Sequence, residues 1–420
     1  MSARLFECYP FENFFEEDVA RYLASKMNSN YRLVHNIMRP NRNRNVFLPK
    51  EIDLCILSKS GYINMVEIKG FKNPPSIDDR WINNRQRNPV EDMKRYGQLL
   101  RTDLKKKNSL SFLTEPYLIL RNKDSSKISD KWKDNCGTMY EYLQGFLSRP
   151  SLPKKLVYDS RELDMVREKF LCDAKIDPFV GFEKEDFNKL REYEIYYDSF
   201  DDKAFYENIL STFYYKLRCL DYEIRSKFRQ KGISFYQHVS TAKPTAPSPI
   251  QYLAFTLIDT ESFHTEPQIT FHVSSKDWYK PDQPDGDHFS VKLAFFHSSE
   301  WLRKLLMKFR SDKVGFFKKI QNTFGRKHYY FISSLTPHDN LISKPVKDLE
   351  FGDIEELAHR SLDRRAYIRG IGFEKPMFYA SHKKLGNRKK LVQFLNNEMS
   401  FLQECLRDIL PEYFIEKKLN

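Results

Sequence analysis

The feature that most constrains this fold is a pair of strand-like runs that fold back on each other. EIDLCIL (51–57) and YINMVEIKG (62–70) flank the short segment SKSG (58–61). Two β-rich runs around a Ser/Gly turn predict a hairpin. With its turn centred on residue 60, positions whose numbers sum to 120 face each other. Asp53 then lies opposite Glu67, and Glu51 opposite Lys69. Side chains alternate between the two faces of a strand. One face carries Ile52, Leu54, Ile56, Val66 and Ile68, all apolar. The other carries Cys55, Leu57, Ile63 and Met65 near the turn, and all four charges at the far end. Strands apolar on both faces near the turn belong inside a covered sheet. That puts acid, acid and lysine at one mouth of a buried sheet, where an unpaired charge is costly.

Directly opposite residues have Cβ atoms roughly 4.5–5.5 Å apart. Two carboxylates that close repel each other unless a cation sits between them. A hard divalent cation such as Mg²⁺, or Mn²⁺ in its place, suits them: it prefers oxygen ligands and keeps several waters. Such an ion activates water and neutralises charge building on a phosphate. A lysine on the same face can orient that water or stabilise a pentavalent phosphorus. Asp53, Glu67 and Lys69 are therefore the candidate catalytic residues for phosphodiester hydrolysis, with Asp53 and Glu67 the candidate metal ligands. The plainer alternative is a solvated strand end with cross-strand ion pairs, worth little to stability. For Glu51, pairing with Lys69 fits better than metal ligation.

Asp53, a hairpin, then Glu67-x-Lys69 resembles the signature of the PD-(D/E)xK nuclease superfamily. The wording EID…G-YINMVEIKG is closest to its NERD (nuclease-related domain) branch, as is Asn88-Pro89 at the start of a later helix. The resemblance covers about residues 10 to 150. It implies an α/β restriction-endonuclease-like domain, a mixed sheet flanked by helices. It also implies a helical glutamate at the site. Glu16 precedes Val19, Ala20 and Leu23 by three, four and seven residues and shares their inward helix face, so Glu16 is the candidate third acid and metal ligand. Ile52 replaces the proline of the superfamily's nominal motif, and Asp92 stands where a helical glutamine is expected. The family context implies defence against phage and mobile DNA, or DNA repair, and related enzymes often act as dimers.

Three basic stretches lie inside this part: RPNRNRN (39–45), RWINNRQR (80–87) and RTDLKKK (101–107). Their candidate phosphate contacts are Arg42, Arg44, Arg80, Arg85, Arg87 and Lys105, which would position DNA without reading its sequence. The chain as a whole carries 70 Lys and Arg against 57 Asp and Glu, a net charge of +13, which permits a polyanionic partner. No run reaches the ~18 apolar residues of a membrane span. The N-terminus turns acidic where a signal peptide would be apolar. Six scattered cysteines without a CxxC pair fit a reducing, cytoplasmic setting. There is no GxxxxGK[ST], no paired-histidine metal motif and no Ser-His-Asp set. DQPDGDH (282–288) lacks the glutamate of a calcium loop and reads as a turn.

The expected organisation is a nuclease domain over 1–175, a helical connector over 176–240, and an α+β C-terminal domain over 241–420 of unassigned role. The Pro-rich stretch HVSTAKPTAPSPI (238–250) is the expected linker. The resulting expectation is a Mg²⁺-dependent deoxyribonuclease, an endonuclease rather than an exonuclease, with DNA as its partner and a homodimer or a partner protein also open. Two alternatives stand beside it. One is a binding or scaffold protein on a retired nuclease fold. The other is a nuclease whose C-terminal domain senses a trigger.

Overall fold

The computed structural model describes residues 2–7, 11, 13–39, 50–71, 73–78, 88–108, 112–148, 158–167, 181–196, 211–230, 236–239, 250–257, 265–275, 286–296, 299–335, 339–360 and 368–417. The chain divides into two compact units, Met1–Pro178 and Phe179–Asn420.

The first unit is built on a mixed six-stranded sheet. Its strands are β1 (Arg4–Glu7), β2 (Tyr31–Arg39), β3 (Lys50–Ser58), β4 (Tyr62–Lys69), β5 (Leu113–Leu120) and β6 (Cys136–Gly137), side by side in that order. β2, β3 and β4 run antiparallel, while β1, β5 and β6 join parallel to β2, β4 and β5. The β3–β4 ladder runs from Leu54↔Val66 to Leu57↔Ile63, so the pairs do sum to 120. The Gly61 amide donates to the Ser58 carbonyl at 3.0 Å and closes the turn. Gly61 has φ 84°, a left-handed conformation that glycine adopts without steric cost.

Helices cover both faces of this sheet. α1 (Phe14–Lys26) starts where the Asn13 side chain accepts the Glu16 amide at 3.0 Å. Its three-four spacing buries Glu16, Val19, Ala20 and Leu23. α2 (Pro89–Asn108) opens at the predicted Asn88-Pro89. Proline has no amide to leave unsatisfied there, and Asn88 Oδ1 accepts the Val90 amide at 2.9 Å. Val90, Met93, Leu100 and Leu104 of α2 share one apolar cluster with Val34, Cys55, Leu57, Ile63 and Met65. α2 thus covers the odd-numbered side of the hairpin. Glu16 of α1 approaches His35, which faces Leu54 across β2–β3. α1 therefore covers the even-numbered side. α3 (Met139–Leu147) and α4 (Ser160–Val166) complete the described helices of this unit.

The second unit contains α5 (Lys184–Ile195), α6 (Ser211–Gln230), α7 (Glu300–Ser311), α8 (Lys313–Phe324), α9 (Phe351–Arg360), α10 (Arg388–Ile409) and α11 (Pro411–Glu416). Its strands are β7 (Tyr236–Val239), β8 (Ile250–Thr256), β9 (Gln268–Ser274), β10 (His288–Phe296), β11 (Tyr330–Leu335), β12 (Asp339–Pro345) and β13 (Ile368–Phe378). They form one antiparallel sheet in the order β12-β11-β13-β10-β9-β8-β7. One face is aromatic: Phe271, Phe289 and Phe373 meet Phe182, Phe187 and Phe324 from flanking segments.

The Pro-rich stretch is not a boundary between units. It connects β7 to β8, which are hydrogen-bonded neighbours in this sheet. The second body accordingly begins at Phe179 rather than at 241. Among the described residues, no helix is long and apolar enough to cross a membrane. Cys55, Cys136, Cys219 and Cys405 are buried.

Candidate active site

Asp53 and Glu67 stand one step beyond the last β3–β4 ladder pair, where the two strands cease to pair. Here the Asp53 side chain replaces the backbone acceptor: Oδ2 accepts the Ile68 amide at 2.6 Å. On its other edge β4 stays fixed, with Glu67 opposite Leu118 and Lys69 opposite Leu120 of β5. The Arg121 amide donates to the Lys69 carbonyl at 3.0 Å. The site is therefore a fork between β3 and β4 with one rigid wall.

Lys69 joins the two acids. Its Nζ lies 2.5 Å from Glu67 Oε1 and 3.9 Å from Asp53 Oδ2. Exposure rises along the set: the side chains are 4 % exposed for Asp53, 16 % for Glu67 and 24 % for Lys69. The fork thus opens to solvent on the Lys69 side and is closed behind Asp53. A buried carboxylate needs compensation, and the Ile68 amide and the Lys69 ammonium both contribute to it at Asp53.

Glu16 is buried, 2 % exposed. Asn13 Nδ2 donates to its Oε1 at 2.5 Å, and His35 Nε2 lies 3.9 Å from Oε2. His35 is fully buried and its ring packs 3.7 Å from that of Phe11. Glu16 stands beside the row of His35 and Leu54, whereas Asp53 and Glu67 belong to the alternate row. The first turn of α1 nevertheless reaches the mouth of the fork, because a Cβ on Gly70 would lie 3.5 Å from Phe15. His35 carried no signal in the sequence. It is one histidine among ten, without a ligand spacing, and only its strand register brings it to Glu16.

Lys105 is exposed on α2. Arg42, Arg44, Arg80, Arg85 and Arg87 lie outside the described residues, and so does the side chain of Glu51.

The donor set fits a hard divalent cation. Two carboxylate oxygens already converge on one cation, the Lys69 ammonium, and one or two carboxylates plus waters suffice for Mg²⁺. No group of three or more His, Cys, Asp and Glu side chains is arranged to hold a metal ion among the described residues. Any such ion would therefore rest on the two acids of the fork and on water.

A mixed sheet covered on both faces, carrying acid, acid and lysine at one strand fork, defines a nuclease-like domain. This segment belongs to the PD-(D/E)xK-like nuclease superfamily. Within it, residues 12–120 match the family model of NERD, the nuclease-related domain. The match runs from the residue before Asn13 to the last residue of β5 and contains the whole fork. A comparison with curated proteins found no match.

Proposed function

We propose that the first unit hydrolyses DNA phosphodiesters with a divalent cation, Mg²⁺ or Mn²⁺, held by Asp53 and Glu67. The observation that carries this reading is the single ammonium of Lys69 reaching both carboxylates. A bound cation supplies neutralisation of the phosphate and a more acidic water. The remaining work falls to the chain itself. Asp53, tied to the Ile68 amide, presents its carboxylate in a fixed orientation. Glu67, held by β5, presents the second from the facing strand. Lys69 places a positive charge at the open side of the fork. There it orients the attacking water and offsets the negative charge that grows on phosphorus. Glu16, anchored by Asn13, supports the site through the first turn of α1 rather than as a ligand of the ion. Lys105, with the arginines at 42, 44, 80, 85 and 87 outside the described residues, supplies the candidate contacts to backbone phosphates.

The proposed activity is endonucleolytic, cutting within a strand. The test is cleavage of supercoiled and linear DNA by wild type and Lys69→Ala, with Mg²⁺, Mn²⁺ or EDTA. The expected result is metal-dependent nicking that falls by at least about 100-fold in Lys69→Ala, on the scale of lost transition-state electrostatics. Cleavage unchanged by Lys69→Ala, or undiminished in EDTA, contradicts it.

A further inference from the structure

The stretch from Glu300 to His328 carries nine Lys and Arg against two Asp and Glu. That surplus of seven is more than half of the chain's net charge of +13. The stretch is α7, the single residue Asp312, α8 and the turn that follows. Its two helices are fixed to each other: the Phe309 and Phe316 rings meet edge-on at 4.7 Å, and Asp312 Oδ1 accepts the Gly315 amide at 3.0 Å.

Eight of the nine cations sort into two sets, and the ninth, Lys327, stands 3.7 Å from the centre of the Phe401 ring. Lys304, Lys308 and Lys313 are neutralised by the neighbouring structure, through Glu416 at 2.6 Å, Glu412 at 2.8 Å and Glu355 at 2.5 Å. Arg303, Arg310, Lys318, Lys319 and Arg326 are exposed, and none has an acidic partner among the described residues. Arg303 and Arg310 are seven residues apart and share one stripe of α7. The opposite sides are apolar and buried, with Trp301, Leu305 and Phe309 on α7 and Phe316, Ile320 and Phe324 on α8. An ordinary solvated surface intersperses both signs. Here three lysines are matched by acids of the same unit, while the five outward cations share their stretch with only Glu300 and Asp312.

A single-sign field of this kind attracts polyanions. Trp301, Phe309, Phe316 and Phe324 are turned into the unit and offer no face to the unstacked bases that single-strand binders use. We propose that this outward face of α7 and α8 grips the phosphate backbone of duplex nucleic acid. This rests on the nuclease reading of the first unit, for which it supplies a second, sequence-neutral hold on the same substrate. Two linked contacts raise avidity without adding sequence information.

The test is binding of the full chain to a labelled DNA duplex in EDTA, followed by fluorescence anisotropy over a salt series. Arg310→Glu/Lys318→Glu/Lys319→Glu is compared with Lys383→Glu/Lys389→Glu/Lys390→Glu, which makes the same charge change at exposed positions elsewhere. The first variant is expected to bind at least about tenfold more weakly and to lose roughly 2–3 from the slope of log K against log salt, near 0.9 per lost phosphate contact. The control is expected to keep most of the slope. The corresponding Gln triple, which removes charge without reversing it, is expected to lose a similar slope. Equal loss in both Glu variants, or loss in neither, overturns the proposal. So does dependence on these residues for binding phosphatidylserine vesicles with an unchanged DNA slope. The outcome is separable from cleavage. A lost slope in a chain that cleaves under no metal leaves this face standing and sinks the nuclease reading. An unchanged slope in a chain that cleaves sinks this face alone.

Discussion

Asp53 performs two tasks with one carboxylate. Its Oδ2 completes the hydrogen bonding of the Ile68 amide just where the β3–β4 ladder stops, and the same oxygen lies 3.9 Å from the Lys69 ammonium. The two tasks separate by substitution. Asp53→Ala leaves a buried amide without its acceptor, so it should lower stability by about 1–3 kcal/mol. Asp53→Asn keeps an acceptor oxygen and should stay closer to wild type in urea unfolding. Equal losses in both variants would place the stabilising effect in the charge rather than in the hydrogen bond. The acid, acid and lysine were legible in the sequence because alternation and a glycine turn fix the hairpin register. The His35–Glu16 approach was not legible, since it depends on how β2 is aligned with β3, and the sequence between them carries no glycine turn signal to fix that register.

Among the elements, α2 shows how tertiary packing overrides helix propensity. Gly97 lies inside this helix, where alanine is intrinsically better by up to ~1 kcal/mol. A Cβ there would stand 2.8 Å from Thr114 Oγ1 and 2.9 Å from Thr114 Cβ, on β5. Both atoms belong to a branched side chain in a strand, which cannot move aside freely. Gly97→Ala should therefore destabilise the protein by about 1–3 kcal/mol, as overpacking does. A gain in melting temperature would contradict this close approach. Propensity signals predicted α1, α2 and the central strands close to their observed bounds. They did not reveal β1 and β6, which have four and two residues and take their parallel places only through neighbours. The Pro-rich segment after β7 has the composition of a linker, yet the strands on either side of it, β7 and β8, pair in one sheet.

For the whole molecule, the division into two units implies distinct sources of pH sensitivity. His272 in β9 is held down to about 4 from an ordinary 6.5, mainly by burial, with Lys292 and His288 adding to the depression and Glu374 opposing it. A histidine depressed in the folded state stays neutral while the unfolded chain takes up a proton. Stability should thus decline as pH falls from 6.5 towards 4 and gain nothing from this group above that window. His272→Gln should flatten the decline in thermal unfolding across those pH values. An unchanged slope would show that other groups set it. The basic face of α7 and α8 likewise belongs to this scale, since its charge pattern emerges only when the ion pairs to α9 and α11 are known. The sequence showed a basic helical stretch and could not show which of its cations were already neutralised.

The central claim is that Asp53 and Glu67 form one cation site on the chain. Calorimetric titration of Mn²⁺ into wild type and Asp53→Asn tests it without depending on cleavage or on a known substrate. Saturable Mn²⁺ binding is expected of wild type, weakened at least about tenfold in Asp53→Asn, a loss of ~1.4 kcal/mol or more. Absence of binding by wild type, or binding unaffected by the substitution, would contradict it.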